Sequence, residues 1–319
     1  MLSFFTRLAA AGLCAASLAN AAPAPAEQSR IERRDISQDL FDTFKLMSQY
    51  AAAAYCPDNN DTPNTKLTCD TGNCPLVDAA NATTVSEFEN SLITDVTGYV
   101  AIDTTNSLIV VSFRGSGSVR NYLTDFNFPL VDASELCAGC LAFNGFWTSW
   151  KEARTGVLAA VKSAAAAHPS FQIVSVGHSL GGAVAVFAAA ELRNANRSVS
   201  LYTFGQPRIG PEKVSDYITA QGDNYRLTHK KDPVPKLPPV LLGYVHVSPE
   251  YYLTGANDEE VVIDGVEGPL EGSVNFMGNT GTLDVDFDAH GWYFGNISVC
   301  RPDVFEFRKR DVFRVPLRI

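Results

Sequence analysis

The chain has 319 residues, 46% of them hydrophobic and 19% charged, and its 25 Lys+Arg against 35 Asp+Glu give a formal net charge of −10. That apolar share supports a buried core and excludes a wholly disordered chain or a Pro/Gly-periodic fibre. The acidic balance lacks the clustered Lys and Arg that nonspecific nucleic-acid binding requires.

The order of segments at the N-terminus resolves the odd count of seven cysteines. A short head ending in Arg7 precedes an apolar run, Leu8 to Ala19, and the small-residue end Ala19-Asn20-Ala21. This is the pattern of a secretory signal over residues 1–21, and the run falls short of the ~20 apolar residues a membrane span needs. Residues 22–34 are Pro/Ala-rich and end in Arg33-Arg34, which predicts a propeptide cut before Asp35. Cys14 leaves with the signal, and six cysteines remain: Cys56, Cys69, Cys74, Cys137, Cys140 and Cys300. An even set in a secreted, extracellular chain predicts disulfides. Four N-x-S/T sequons, at Asn60, Asn81, Asn196 and Asn296, fit the same compartment.

From residue 35 the elements alternate. Apolar residues at helical spacing predict a helix over Asp39–Ala54, and the Asn-, Asp-, Pro- and Cys-rich stretch 56–75 reads as a stapled loop. Strands are expected at Val96–Ile102 and Leu108–Phe113, joined by the turn Asp103–Asn106. A helix over Trp150–Ala167, a strand over Phe171–Val176, an Ala-rich helix over Leu180–Arg193, and strands at Val199–Phe204 and Tyr225–Thr228 follow. With no repeat and no internal linker, residues 35–300 read as one α/β domain with a largely parallel sheet, and residues 301–319 as a basic tail.

The motif that carries chemistry is Gly177-His178-Ser179-Leu180-Gly181, set between the strand FQIVSV and the helix LGGAVAVFAAAEL. A tight strand-to-helix turn leaves no room for Cβ atoms beside a nucleophile, hence the glycines, and it presents Ser179 Oγ above the sheet edge. The helix-start N–H of Leu180 is placed to donate to a developing oxyanion. Three histidines lie beyond Ser179. His290 in DAHGWYFG is the last of them and fits the base. His229, in the basic run THKKD, would precede the acid, and His246 in YVHVSPEYY reads as an internal or surface histidine. Asp232 follows the strand YRLTH and precedes the rigid PVPKLPP, so it is the expected acid. Asp284, Asp286 and Asp288 are rivals that read as solvated loop acids.

The segments LIVVSFRGSGSVRNYLTDFNF, ELCAGC, VSVGHSLGGAVA, LYTFGQPRIG, RLTHKKDPVPKLPP and AHGWYFG together resemble the fungal secreted class 3 lipases of the Rhizomucor–Thermomyces type. The resemblance spans essentially all of residues 35–300. It implies an α/β-hydrolase fold with a short helical lid and a Ser179–Asp232–His290 triad. It also implies oxyanion donors at Ser116 and Leu180, with Asp125 steadying the Ser116 side chain. It selects the pairs Cys56–Cys300, Cys69–Cys74 and Cys137–Cys140. Zinc at Cys137-x-x-Cys140 is the alternative, and it lacks a second ligand pair. No cofactor and no metal are implied.

Within SVRNYLTDF, Val119, Tyr122, Leu123 and Phe126 fall at i, i+3, i+4 and i+7, one apolar helical face directly after the oxyanion residue. This predicts a cover that opens at a lipid–water interface. The lipases usually carry Trp where this chain has Tyr122. Feruloyl esterases share fold and triad but have a more polar lid, so long-chain acyl esters are expected. Residues 251–289 hold nine acids and no Lys or Arg, which reads as a solvated loop or as a negative rim near His290. The expected protein is a secreted, monomeric triacylglycerol lipase acting on acylglycerols through an acyl-enzyme, with no nucleic-acid partner and no transmembrane segment. A feruloyl-type esterase and an inactive lipid-binding module are the alternatives.

Overall fold

Runs of β-branched and apolar residues build the centre of the sheet. In a computed structural model that describes residues 36–61, 63–89, 93–115 and 128–301, all within the unit Arg33–Ile319, ten strands form. They are β1 (Ala82–Phe88), β2 (Gly98–Asp103), β3 (Leu108–Phe113), β4 (Leu130–Asp132), β5 (Leu141–Phe143), β6 (Gln172–His178), β7 (Val199–Phe204), β8 (Asn224–His229), β9 (Glu250–Leu253) and β10 (Val266–Leu270). Eight of these make one sheet in the order β1-β2-β3-β6-β7-β8-β9-β10, while β4 and β5 pair apart from it. The five strands from β3 to β9 run parallel, and the three remaining strands join the edges antiparallel.

The helices are α1 (Gln38–Ala53), α2 (Pro75–Ala79), α3 (Asn144–Ala167), α4 (Leu180–Asn194) and α5 (Glu212–Ala220). Successive residues of a strand face opposite sides, and β3 is buried throughout. Ile109, Val111 and Phe113 enter one apolar cluster with Trp147, Trp150 and Phe187 of α3 and α4. Leu108 and Val110 enter the other, with Phe44, Met47 and Tyr50 of α1. Both faces of the sheet are therefore covered, which is the condition for a parallel sheet. The side chain of Ser37 caps α1 by accepting the Leu40 N–H at 3.2 Å. Asp103, fully buried, closes the β2–β3 hairpin by accepting the N–H groups of Thr105 and Asn106.

The fold is the expected α/β-hydrolase architecture, with differences at element ends. Helix α3 starts six residues before the expected Trp150, at Asn144. Asn144 and Gly145 are poor helix formers, but burial of Phe146, Trp147 and Trp150 outweighs that local preference. Strands β1, β9 and β10 and helix α5 carry no strong periodic signal and were not expected. β1 and β10 are the two edge strands of the sheet, and β9 lies next to β10.

Disulfides join Cys56 to Cys300, Cys69 to Cys74 and Cys137 to Cys140, with sequence separations of 244, 5 and 3 residues. The first ties the end of α1 to the far end of the described chain and closes a loop far longer than the other two. In the chain-entropy account, its loss costs about 2–5 kcal/mol. A Cys56→Ala/Cys300→Ala protein should lose stability on that scale in urea unfolding, and more than a Cys137→Ala/Cys140→Ala protein. Equal losses would contradict the loop-length argument.

His178 and His246 are both buried. Burial pushes both imidazoles well below their ordinary value of 6.5, helped by neighbouring His290 for the first and by Arg226 and Arg208 for the second. In the unfolded chain both would take a proton as pH falls through that value, while the folded chain refuses it. Stability is then full above pH 6.5 and declines below it, by about 1.4 kcal/mol per pH unit per histidine. Urea unfolding should show stability falling between pH 7 and pH 5, with these two histidines together contributing at most about 2.7 kcal/mol per unit, and His246→Asn should lessen the fall. A stability independent of pH in that window would refute the linkage.

Candidate active site

The chain leaves β6 and enters α4 within a single residue, Ser179, whose backbone sits at φ 58°, ψ −131°. That conformation costs an L-residue about 1–3 kcal/mol and persists only where the surroundings enforce it. Here they do so through close backbone packing. A Cβ on Gly177 would lie 2.3 Å from the Gly181 carbonyl oxygen, and one on Gly181 would lie 2.2 Å from the Phe113 carbonyl oxygen. The Ser179 N–H donates to the Phe204 carbonyl at 2.8 Å, which pins the turn to β7.

His290 lies on a short turn, Asp288–Gly291, and is 1% exposed. Its Nε2 is 2.8 Å from Ser179 Oγ, and its Nδ1 is 3.0 and 2.9 Å from the two carboxylate oxygens of Asp232. Asp232 follows β8 as expected and is fully buried. Its charge is met from several sides. The Val234 N–H donates to Oδ1 at 2.9 Å and the Tyr293 hydroxyl donates to Oδ2 at 2.6 Å. Burial and the adjacent carboxylate hold the Tyr293 phenol well above the ordinary tyrosine value, so it stays a donor. With Nδ1–H directed at the carboxylate, Nε2 is left to accept the serine proton.

The backbone of the acid loop is also fixed. The Asn279 side-chain amide donates to the carbonyls of Lys230 and Asp232 at 3.0 and 2.9 Å. The Asn279 N–H donates to Glu250 Oε1 at 3.0 Å, and Glu250 is paired with Arg226 at 3.2 Å across β8 and β9. Both partners of that pair are buried. Removing one member of such a pair strands a charge and costs about 3–5 kcal/mol.

Leu180 is the first residue of α4, where the N–H groups have no carbonyl four residues back within the helix. The structure thus brings Ser179, His290, Asp232 and Leu180 together. Ser116, Asp125 and the four residues of the apolar face, Val119, Tyr122, Leu123 and Phe126, lie outside the described residues.

Among the rivals, His229 is buried with its ring nitrogens facing the Ala289 and Gly255 carbonyls, and His246 is buried against the Pro235 carbonyl. Asp284 pairs with Lys231 at 2.7 Å at the surface, and Asp286 accepts from Asn257. None of these touches the Ser179–His290 pair.

Four contributors were not read from the sequence: Tyr293, Asn279, Tyr55 and His178. Tyr293 lies in AHGWYFG, three residues after His290, and His178 lies in GHSLG, directly before Ser179. Tyr55 lies in SQDLFDTFKLMSQYAAAAYC, a further segment that carries the family resemblance, but far from Ser179 in sequence, and Asn279 lies in no such segment.

Residues 110–242 match the family model for Lipase (class 3), and residues 13–85 that for the Lipase 3 N-terminal region. A secreted mono- and diacylglycerol lipase A of Penicillium cyclopium is 45% identical over 313 residues, which is 97% of this chain and 99% of that protein. The crystal structure of a mono- and diacylglycerol lipase from Aspergillus oryzae superposes with a TM-score of 0.79 at 46% identity, covering 83% of this chain and all of that one. A solved triacylglycerol lipase whose catalytic centre is a serine protease triad superposes with a TM-score of 0.69 at 27% identity, covering 84% of this chain and 99% of that one. Given this identity along nearly the full length of both chains, and a serine, histidine and aspartate assembled on an α/β-hydrolase sheet, the chain belongs to the class 3 lipase family and is a carboxylic ester hydrolase.

Proposed function

We propose that this protein hydrolyses acylglycerol esters through an acyl-enzyme on Ser179, with mono- and diacylglycerols preferred over triacylglycerols. The observation that carries the chemistry is the 2.8 Å contact between His290 Nε2 and Ser179 Oγ, with Asp232 behind Nδ1. His290 takes the hydroxyl proton as Oγ attacks the ester carbonyl. Negative charge develops on the carbonyl oxygen, and the Leu180 N–H receives it together with the N–H of Ser116 that the resemblance implies. Asp232 stabilises the imidazolium. The proton passes to the departing alcohol, the Ser179 ester remains, and water repeats the steps to release the fatty acid. The preference for partial glycerides rests on similarity to the Penicillium cyclopium and Aspergillus oryzae enzymes.

Two loops near the acid support a lipid surface as the site of action. Leu241 is 96% exposed and Leu242 53%, on the turn after Pro239. Leu283 is 98% exposed, with Phe276, Met277 and Val285 also open. Both loops are anchored to the segment that follows Asp232. The Arg208 guanidinium donates to the Pro238 carbonyl at 2.9 Å and to Thr280 Oγ1 at 3.1 Å, and the Lys236 ammonium donates to Thr282 Oγ1 at 2.8 Å. Apolar side chains left in water on loops tied to the Asp232 segment suit contact with an oil phase. Asp284, Asp286 and Asp288 lie among them, so an uncharged interface suits this surface better than an anionic one. Secretion, with residues 1–21 as signal and 22–34 as propeptide, belongs to the same reading and rests on similarity to the secreted lipases of Penicillium cyclopium and Fusarium solani.

Ser179→Ala should retain the fold and lose activity by about 10⁴-fold or more. Rates on mono-, di- and triolein emulsions and on methyl ferulate, measured side by side, should fall in the order partial glycerides, triglyceride, ferulate. A ferulate rate above all three would overturn the substrate reading.

Leu241→Ser/Leu283→Ser should reduce activity on emulsions several-fold while leaving a soluble short-chain ester unaffected. Diacylglycerol should be hydrolysed faster in zwitterionic than in anionic vesicles. Equal loss on the soluble ester, or preference for the anionic surface, would contradict the proposed role of these loops.

A further inference from the structure

Beneath Ser179 lies a set of contacts that the chemistry above does not use. Tyr55, immediately beyond α1, is fully buried. Its hydroxyl is 2.7 Å from His178 Nδ1 and accepts the Gly115 N–H at 3.1 Å. On the other edge of the same imidazole, His178 Nε2 is 2.8 Å from the His290 backbone carbonyl.

The carbonyl decides the proton positions. A carbonyl can only accept, so Nε2 carries the hydrogen and donates it to His290. Burial keeps His178 neutral, so Nδ1 is bare and accepts from the Tyr55 hydroxyl. The phenol proton thus points to His178, and a lone pair of the same oxygen receives the Gly115 N–H. One directed chain runs from the backbone of Gly115, through Tyr55 and His178, to the backbone of His290.

Gly115 is fitted to this arrangement. A Cβ there would stand 2.3 Å from the Tyr55 hydroxyl oxygen and 3.0 Å from Ser179 Cβ. The end of the segment after β3 is therefore held between the phenol and the nucleophile's own turn, one residue before Ser116. His178 precedes Ser179, and its ring lies 4.6 Å from that of His290, centroid to centroid. A cationic His178 would oppose the imidazolium that His290 becomes, so its neutrality serves the reaction as well as the fold.

We propose that Tyr55, acting through His178, is a positioning residue for acyl transfer: its hydroxyl holds the Gly115 backbone against the Ser179 turn while His178 ties the same hydroxyl to the backbone of the base. The oxyanion side, the nucleophile and the base then share one frame built from the end of α1, the end of β3 and the turn at His290. The inference rests on the acyl-enzyme reading above. Its effect is expected in the transition state, because the three hydrogen bonds join buried residues, while the developing oxyanion and the proton transfer depend on their alignment.

Tyr55→Phe keeps the ring and removes only the hydroxyl. On a soluble ester, well below the unfolding temperature, kcat should fall roughly 10–100-fold with KM within twofold of wild type. His178→Gln, which keeps a donor for the His290 carbonyl and loses the acceptor for Tyr55, should show the same split. The double variant should be no worse than the poorer single one, because both cut the same chain. A purely structural role would lower the melting temperature and leave kcat of the folded protein intact, and that result overturns the proposal. Independent, multiplying losses in the double variant, or a loss expressed in KM, overturn it too. Should Tyr55→Phe not fold, the kcat and KM of His178→Gln decide alone. Ser179→Ala run in parallel separates the two levels of argument: its retained activity would defeat the acyl-enzyme reading, whereas a dead Ser179→Ala beside an unimpaired Tyr55→Phe defeats only the positioning role.

Discussion

The close approach of backbone to backbone around Ser179 is the constraint on which the rest of the structure depends. Three segments meet there without intervening side chains: the end of β6, the first turn of α4 and the end of β3. The absent Cβ atoms of Gly177 and Gly181 would each fall within 2.4 Å of a neighbouring backbone atom, and that of Gly115 would lie 2.3 Å from the Tyr55 hydroxyl. The strained φ of Ser179 is tolerable because β6 is hydrogen-bonded on both sides and α4 is buried along most of its length. A turn of this kind at the edge of a less complete sheet would relax. The parallel core is thus the condition for presenting the serine, and the covered faces are the condition for the parallel core.

Around that turn the charged and polar groups are arranged so that each has a fixed partner before substrate arrives. The Asp232 carboxylate receives a backbone N–H, a phenol and the His290 ring, and its own backbone is held by Asn279. Asn279 is in turn held by Glu250, whose charge is matched by Arg226 on the neighbouring strand. Such a buried ion pair contributes little net stability compared with apolar packing. Its value here is geometric, because it couples the position of a surface loop to the backbone of the acid. Preorganised donors of this sort need no rearrangement when charge develops, which is where electrostatic catalysis gains over water.

How much of this could be read from the sequence follows from the range of the forces involved. The elbow was legible because its steric demand is met locally, by glycines at fixed offsets between a strand and a helix. The acid and base were legible by their order along the chain, once Ser179 was set. Helices α1 and α4 and the central strands carry strong apolar runs and fell within one or two residues of their observed limits. Residues of a different kind escaped. Tyr55 and Asn279 act through hydrogen bonds to segments dozens of residues away, so their local sequence does not reveal what they hold. The edge strands β1 and β10 are partly exposed and mix polar with apolar residues, and β9 beside β10 is only four residues long, so their pairing is set by the sheet beside them rather than by their own composition.

The apolar side chains on the loops at 239–243 and 276–285 oppose the usual economy of a folded surface. Leu241 and Leu283 are almost wholly in water, where each forgoes about 1.5–3 kcal/mol of burial. The same loops spend hydrogen bonds from Arg208, Lys236 and Asn279 on holding that exposed arrangement beside Asp232. A chain that fixes apolar groups outward with buried polar anchors gains nothing in solution. The arrangement becomes favourable only against an apolar phase, and the energy withheld during folding is then available for adsorption. In the lipid-surface reading proposed above, hydrogen bonds to the segment around Asp232 join the apolar loops to the triad. On that reading, adsorption through Leu241 and Leu283 acts on the same loops that hold Asp232, so binding to the surface and positioning of the acid share their hydrogen bonds.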